Sequence, residues 1–196
     1  MKKSSIILIS VVAVLAVLFM WGTSRYNSLI TLRENVNSQW ANVESQYQRR
    51  SDLIPNLVST VKGYATHESS TLEGVIAARA KATQITVDPK NLTPEKLQQY
   101  QAAQGQVSSA LGKLLMISEN YPNLKANENF LELQAQLEGT ENRIAVERNR
   151  FNDVAKLYDV PIQQFPGSIF ASLFGFKEKP YFASEKGTEK APSVKF

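Results

Sequence analysis

The chain has 196 residues, enough for one domain with its own hydrophobic core, and it contains no cysteine. The lack of thiols excludes disulfide bonds, thiolate metal sites, a cysteine nucleophile and a lipidated cysteine anchor. The net charge of +4 comes from 22 basic and 18 acidic residues spread along the sequence, whereas a nucleic-acid-binding surface would concentrate the basic ones, so we expect no nucleic acid partner.

The amino terminus is predicted to anchor the chain in a lipid bilayer. An unbroken apolar run covers residues 6–21 and follows two lysines. As a helix it is about 24 Å long, and flanking basic side chains can reach the headgroups across a hydrocarbon core of about 30 Å. A cleaved signal peptide starts in the same way, but no small-x-small cleavage site follows the run, and Trp21 and Tyr26 are residue types that membrane interfaces favour. We therefore assign residues 1–23 to an N-terminal membrane anchor.

The positive-inside rule predicts the orientation of this anchor. Two lysines and the free amine precede the apolar run, whereas Arg25 and Arg33 follow it. The balance favours a cytoplasmic amino terminus. Most of the chain would then lie outside the cytoplasm.

Residues 24–160 carry the apolar periodicity of amphipathic helices. Apolar residues recur at spacings of three and four along four segments, which is the pattern of a helix face and not of a strand. The stretches "HESSTLEG", "TVDPKNLTPEK" and "SENYPNLKAN" separate the segments. The predicted fold is all-α, with an N-terminal transmembrane helix followed by an antiparallel four-helix bundle that has a long first helix.

Two unusual residues lie in or near the first of these helices. Pro55 removes one hydrogen bond and crowds the carbonyl of Ser51, so a kink that preserves the apolar face is expected. Alternatively, Asp52 caps a new helix whose first turn contains Pro55. His67, the single histidine, is predicted to end the helix, and one histidine cannot supply the paired Glu-x-x-His motifs of a di-iron bundle.

Three charged residues occupy the predicted apolar faces and form a candidate structural polar seam: Arg33 and Arg50 on the first helix, and Glu147 on the fourth. An unpaired buried charge costs several kcal/mol, so each of them needs a partner or contact with water. One hypothesis is that Glu147 pairs with one of the arginines and sets the helix register. The other is that the bundle is open there and the arginines extend to solvent.

The end of the chain divides into an aromatic segment, 161–182, and a polar stretch, 183–196, predicted to be a disordered tail. Helix lengths place the end of the fourth helix roughly 17 Å above the bilayer. The aromatic segment can therefore pack on the base of the first helix or lie on the lipid surface. Its candidate contact residues are Phe165, Ile169, Phe170, Leu173, Phe174 and Phe176.

Three stretches of the chain resemble consecutive signatures of the LemA family. They are "YNSLITLRENVNSQWANVESQYQRRSDLIPNLVSTVKGYATHES", "SENYPNLKANENFLELQAQLEGTENRIAVERNRFNDVAKLYD" and "FPGSIFASLFGF". The resemblance covers roughly residues 24 to 182 and includes the order and spacing of the blocks. It implies a single-pass helical-bundle protein of bacteria, located in the inner (cytoplasmic) membrane. The family's molecular role is uncertain, with suspected links to envelope proteins, membrane proteases and organelle-membrane formation.

The sequence contains no paired acid and base, activated nucleophile or metal-ligand cluster, so we expect no enzymatic activity and no cofactor. We expect a membrane-anchored, non-catalytic scaffold or interaction protein of the bacterial cell envelope. Its expected partners are the lipid bilayer, through residues 6–21, and an unidentified envelope protein. The alternative is an adaptor or accessory factor of a membrane protease or quality-control system, or of membrane remodelling.

Overall fold

The computed structural model describes residues 3–183, with side chains from residue 6 onward. No strand occurs in this range, which confirms the all-α class, and the predicted tail lies outside the described residues from position 184. The helices are α1 (Lys3–Lys62), α2 (Ser69–Thr83), α3 (Pro94–Ile117), α4 (Pro122–Lys125), α5 (Glu128–Gln163) and α6 (Gly167–Phe174), with 3₁₀ turns at Pro89–Asn91 and Ser118–Asn120.

Helix α1 has 60 residues and runs without interruption through Pro55, over about 90 Å. The alternative of a new helix capped by Asp52 is therefore wrong. Asp52 lies inside α1 and accepts a hydrogen bond from the Gln48 side-chain amide at 2.7 Å. Because Pro55 has no N–H for the carbonyl of Ser51, that oxygen accepts a hydrogen bond from Arg79 Nε of α2 instead, at 2.8 Å. A contact between helices thus replaces the bond that proline removes.

Local side-chain caps begin the other two long helices. The Thr93 hydroxyl accepts a hydrogen bond from the Lys96 backbone N–H at 3.3 Å, and the Asn127 side chain accepts one from the Phe130 N–H at 3.0 Å. Such caps satisfy amide donors that have no partner within the helix.

Contrary to expectation, His67 does not end α1, because that helix stops at residue 62 and His67 lies in an exposed turn.

The long helices bury the apolar faces that the periodicity predicts. Helix α1 runs antiparallel to α5 over most of their shared length and also packs on α2, and α2 packs on α3. The core has two parts, one nearer the apolar run and one nearer the far end of α1. The buried apolar face of α1 consists of Leu29, Val36, Trp40, Val43, Tyr47, Ile54, Leu57, Val58 and Val61.

The apolar run of α1 takes no part in this core. Every residue from 6 to 21 is exposed, and burial begins only at Leu29. Among the described residues, α1 is the one helix long and apolar enough to cross a membrane. The exposed run is therefore consistent with a membrane span.

The carboxyl-terminal part of the chain returns along the helices. After α5, the chain turns so tightly that a Cβ at Gly167 would lie 2.0 Å from the carbonyl oxygen of Pro161. Helix α6 ends at Phe174 and is followed by Gly175, whose φ of 72° favours glycine. Residues 177–183, which we call the C-terminal strap, then follow without regular secondary structure.

Candidate functional site

A buried arginine links three long helices. Arg50, which is 1% exposed, donates from Nη1 to Glu141 Oε1 and to Ser108 Oγ, both at 2.7 Å. Its Nη2 donates to Gln104 Oε1 at 2.6 Å and to the backbone carbonyl of the same residue at 3.1 Å. The guanidinium carbon also lies 5.1 Å from the centre of the Tyr47 ring. We call this set the Arg50 cluster; its charge-assisted hydrogen bonds tie α1 to α3 and α5.

These contacts correct the hypothesis that Glu147 pairs with Arg33 or Arg50. Glu147 Oε2 accepts a hydrogen bond from Gln39 Nε2 at 2.6 Å, and Oε1 accepts one from Arg150 at 2.7 Å. The antiparallel register of α1 and α5 explains the difference. Gln39 lies opposite Glu147, and Arg50 is eleven residues farther along α1, about 16 Å away.

Arg33 extends toward solvent, as the second hypothesis for the arginines expects. Its side chain is partly exposed, and Nε lies 3.5 Å from Glu34 Oε1 on the same helix. The guanidinium carbon is also 5.5 Å from the centre of the Phe176 ring, a cation–π distance. Arg33 therefore contacts the aromatic segment through Phe176.

One side of the aromatic segment packs on α1 close to the apolar run. The Phe170 ring meets the Trp21 ring edge to face, with centres 5.4 Å apart. The rings of Phe174 and Phe176 make similar contacts with Tyr26 at 5.0 and 5.7 Å. Three of the candidate contact residues therefore lie on the base of the first helix.

The other candidate residues of that segment face away from the protein. Phe165 is 82% exposed and Leu173 is 74% exposed, and Ile169 lies between them, also exposed. The two alternatives for this segment thus apply to its two sides: one side packs on α1 and the other stays uncovered by the described residues.

The C-terminal strap is held by a buried pair of titratable residues. Asp159 Oδ1 accepts a hydrogen bond from the backbone N–H of Lys179 at 2.9 Å, and Lys179 Nζ donates to the backbone carbonyl of Pro89. Burial raises the pKa of the Asp159 carboxyl and lowers the pKa of the Lys179 ammonium. Burial, and then its hydrogen bond to Asp159, raises the pKa of Tyr181 to about 12. The strap therefore contacts both α5 and the loop before α3.

The far end of the strap enters a pocket of aromatic rings. The Phe182 ring stacks on the Trp40 ring, with centres 5.8 Å apart and planes 7° from parallel, and meets Phe151 edge to face. The Arg148 guanidinium carbon also lies over the Phe182 ring, 5.2 Å from its centre. The Asn152 side chain bonds both the N–H and the carbonyl of Phe182, at 2.8 and 3.0 Å.

Sequence reasoning missed both Glu141 and Phe182. Glu141 directly follows the predicted apolar position Thr140, so a search of the positions flanking that face would have included it. The signal for Phe182 is the aromatic pair "YF" at the edge of the polar tail. Neither signal identifies a partner, because each partner is distant in sequence.

Two clefts border the Arg50 cluster, with volumes of about 200 and 490 Å³. Tyr47, Arg50 and Gln104 contribute to the lining of both. No group of three or more histidine, aspartate or glutamate residues in positions 3–183 is placed to hold a metal ion. The charged groups of the cluster, Arg50 and Glu141, form an ion pair that connects α1 to α5.

The fold defines an all-α protein in which one exposed helix, long and apolar enough to span a membrane, continues directly into a packed helical body. The model of the LemA family matches residues 39–196, and the chain belongs to the LemA family. This confirms the resemblance found in the sequence.

Relatives of known name agree with this assignment. The chain is 28% identical to magnetosome protein MamQ 1 of Paramagnetospirillum magneticum, over 95% of this chain and 73% of the relative. It is 29% identical to magnetosome protein MamQ of Magnetospirillum gryphiswaldense, over 97% of this chain and 74% of the relative. Protein LemA of Metamycoplasma hominis is 24% identical over 72% of this chain and 61% of the relative.

Proposed function

We propose that this protein is a non-catalytic scaffold, anchored by residues 6–21 in the inner membrane of a bacterium, that holds another envelope protein at a fixed distance from the bilayer. In this proposal α1, α2, α3 and α5 form one antiparallel four-helix bundle outside the cytoplasm. The observation that carries it is the continuity of α1 from the exposed apolar run into the buried core.

The continuity of α1 supports a rigid connection. A flexible linker would let the bundle rotate freely relative to its anchor, whereas an unbroken helix transmits the orientation of the anchor to the bundle. From residue 21 to its end α1 extends about 62 Å. The Arg50 cluster and the Arg79 bond to the Ser51 carbonyl support the same role, because they fasten the neighbouring helices to this rod.

The anchor and its orientation are tested with single cysteines, since the natural chain has none. We expect Thr66→Cys, in the exposed turn after α1, to react in intact spheroplasts with a membrane-impermeant maleimide. Ser4→Cys should react only after the membrane is permeabilised. The reverse pattern would contradict the orientation, and extraction of the protein by alkaline carbonate would contradict the anchor.

The scaffold role is tested by photocrosslinking in cells. A benzophenone amino acid is introduced at Ile76 of α2 or Met116 of α3, both of which are exposed apolar residues far from the anchor. We expect a discrete adduct with one envelope protein at one or both sites, absent without irradiation. The matched control carries the same group at Leu15, within the apolar run, and should not give that adduct. Failure of all exposed positions on α2, α3 and α5 to give a reproducible adduct would contradict the scaffold role.

A second candidate function is membrane remodelling. It is favoured by the MamQ relatives, which are named magnetosome proteins and align with nearly the whole chain. The test is to reconstitute the full chain in lipid vesicles and measure vesicle diameter by cryo-electron microscopy at increasing ratios of protein to lipid. A reproducible reduction in diameter would favour remodelling, and an unchanged distribution would leave the scaffold as the better account.

A further inference from the structure

We propose that α6 and the turn before it form a second membrane contact, in which Phe165, Ile169 and Leu173 insert into the interface of the bilayer beside the anchor. This inference rests on the proposed function, because it requires that residues 6–21 span the membrane. It adds a lipid-binding element to the helical body itself.

The first observation is an apolar stripe that nothing in the described chain covers. Ile169 and Leu173 lie four residues apart within α6 and so share one side of that helix, and Phe165, in the turn before α6, is exposed as well. All three are more than half exposed, while Ala171 and Phe176 are buried on the packed side. Contiguous exposed apolar surface of this kind marks a binding site or a membrane contact.

The second observation is the position of this stripe relative to the anchor. Phe170 packs on Trp21, the last residue of the apolar run, and Phe174 packs on Tyr26. A Cβ added at Gly22 would lie 3.5 Å from the Phe170 ring, so the two helices are in close contact at this level. If the run occupies the hydrocarbon core, α6 therefore lies where the core meets the headgroups, and tryptophan and tyrosine are typical of that level.

The third observation is the distribution of charge. Residues 160–176 contain no charged residue, and residues 6–33 contain only Arg25 and Arg33. Lys177 and Glu178 follow α6, and both are exposed. An uncharged helix with an apolar side and nearby basic residues is suited to the boundary between headgroups and acyl chains.

The bilayer is preferred over a protein as occupant because the stripe continues an apolar surface that already faces lipid. A membrane-spanning segment ends at Trp21, and the stripe begins at the same level on an adjacent helix. Two lipid contacts would restrict the tilt of α1 relative to the membrane, which a single spanning helix leaves free. This restriction would keep the bundle at a constant height.

The experiment measures the depth of single nitroxide labels on the full chain in vesicles of phosphatidylethanolamine and phosphatidylglycerol. Labels are attached to Ile169→Cys and Leu173→Cys, and collision rates are measured with oxygen, which concentrates in lipid, and with a water-soluble nickel chelate. Met116→Cys on α3 is the matched control, since Met116 is an exposed apolar residue (66%) far from the anchor. Leu15→Cys, in the apolar run, reports on the anchor.

We expect a ratio of oxygen to nickel collision rates at positions 169 and 173 that exceeds the ratio at position 116 severalfold and approaches that at position 15. Ratios at 169 and 173 equal to that at 116, with a lipid-like ratio at 15, would overturn this inference alone. A water-like ratio at 15 would overturn the anchor as well. Strong dipolar broadening between labels at 173, lost on dilution with unlabelled protein, would identify a second copy of the chain as the occupant and also overturn the lipid contact.

Discussion

Replacing Glu141 with glutamine should destabilise the protein more than replacing Arg50 with methionine. The two partners differ in exposure: the Arg50 side chain is 2% exposed and that of Glu141 is 40% exposed. Glu141→Gln leaves a buried guanidinium with neutral acceptors only, whereas Arg50→Met leaves a carboxylate that water can reach. The buried partner therefore depends on the pair more than the exposed one does.

The magnitudes follow from the four hydrogen bonds of Arg50. A hydrogen bond to a charged group contributes about 1.5–3 kcal/mol, and partial exposure of Glu141 screens some of this, so we expect Glu141→Gln to cost about 2 kcal/mol. Arg50→Met should cost about 1 kcal/mol, because an apolar side chain of similar volume replaces the buried ion while Gln104 and Ser108 lose a donor. In the Arg50→Met background, Glu141→Gln should add almost nothing, so the double variant should be about 1 kcal/mol less stable than the wild type and more stable than Glu141→Gln alone.

The free energy of unfolding is measured by urea denaturation in mild detergent micelles, followed by circular dichroism, for the wild type, both single variants and the double variant. Glu138→Gln is the matched control: Glu138 lies on an exposed face of the same helix and accepts a hydrogen bond only from Gln134 among the described contacts. Its change should stay within about 0.5 kcal/mol. The reasoning is refuted if Glu141→Gln costs no more than this control, or if the double variant is less stable than Glu141→Gln.

The remaining predictions concern the proline, the strap and its buried carboxylate. Arg79→Met should lower the free energy of unfolding by about 1–2 kcal/mol. The loss should be smaller in the Pro55→Ala background, because the restored amide of residue 55 can donate to the Ser51 carbonyl. Equal losses in the two backgrounds would contradict this. Phe182→Ala should cost about 3 kcal/mol and shift Trp40 fluorescence, because it empties a packed aromatic site; a change below about 0.5 kcal/mol would show that the strap adds no stability. Burial raises the folded-state pKa of Asp159 above 3.8, so the folded state binds this proton more tightly than the unfolded state does. As the pH rises above 3.8, the wild type should therefore lose stability relative to Asp159→Asn. A stability difference that does not change with pH would refute that assignment.

The helices themselves could be predicted because their signals are local. The apolar residues at spacings of three and four identify the faces of α1, α3 and α5, and Thr93 and Asn127 mark two helix starts through their own side chains. Pro55 is a local signal too, and it correctly indicated a helix that keeps its phase. Local information could not identify the donor that replaces the missing amide of Pro55 at the Ser51 carbonyl, because that donor, Arg79, belongs to another helix.

The Arg50 cluster also combines a feature that local sequence predicts with contacts that only the packing of the helices decides. Periodicity placed Arg50 on a buried face, and the high cost of an isolated buried charge required either a partner or contact with water. Which acid it meets depends on the axial register of α1 against α5, and a shift of six residues separates the predicted Glu147 from the observed Glu141. The strap is harder still, since extended chain has no periodic pattern and Phe182 binds rings from residues more than thirty positions away.

The sequence by itself therefore determined the apolar run, the all-α class and the need of Arg50 for a partner or water, because each depends on residue type and spacing within one segment. The order of three signature blocks indicated the family. Only the tertiary structure decided that Glu141 is the partner of Arg50, that Phe182 closes the aromatic core, and that α6 packs one side on Trp21 and Tyr26 while leaving Leu173 exposed. These outcomes depend on helix register and on the path of the chain after α5. Both are set by the packing of segments distant in sequence, and no single segment encodes them.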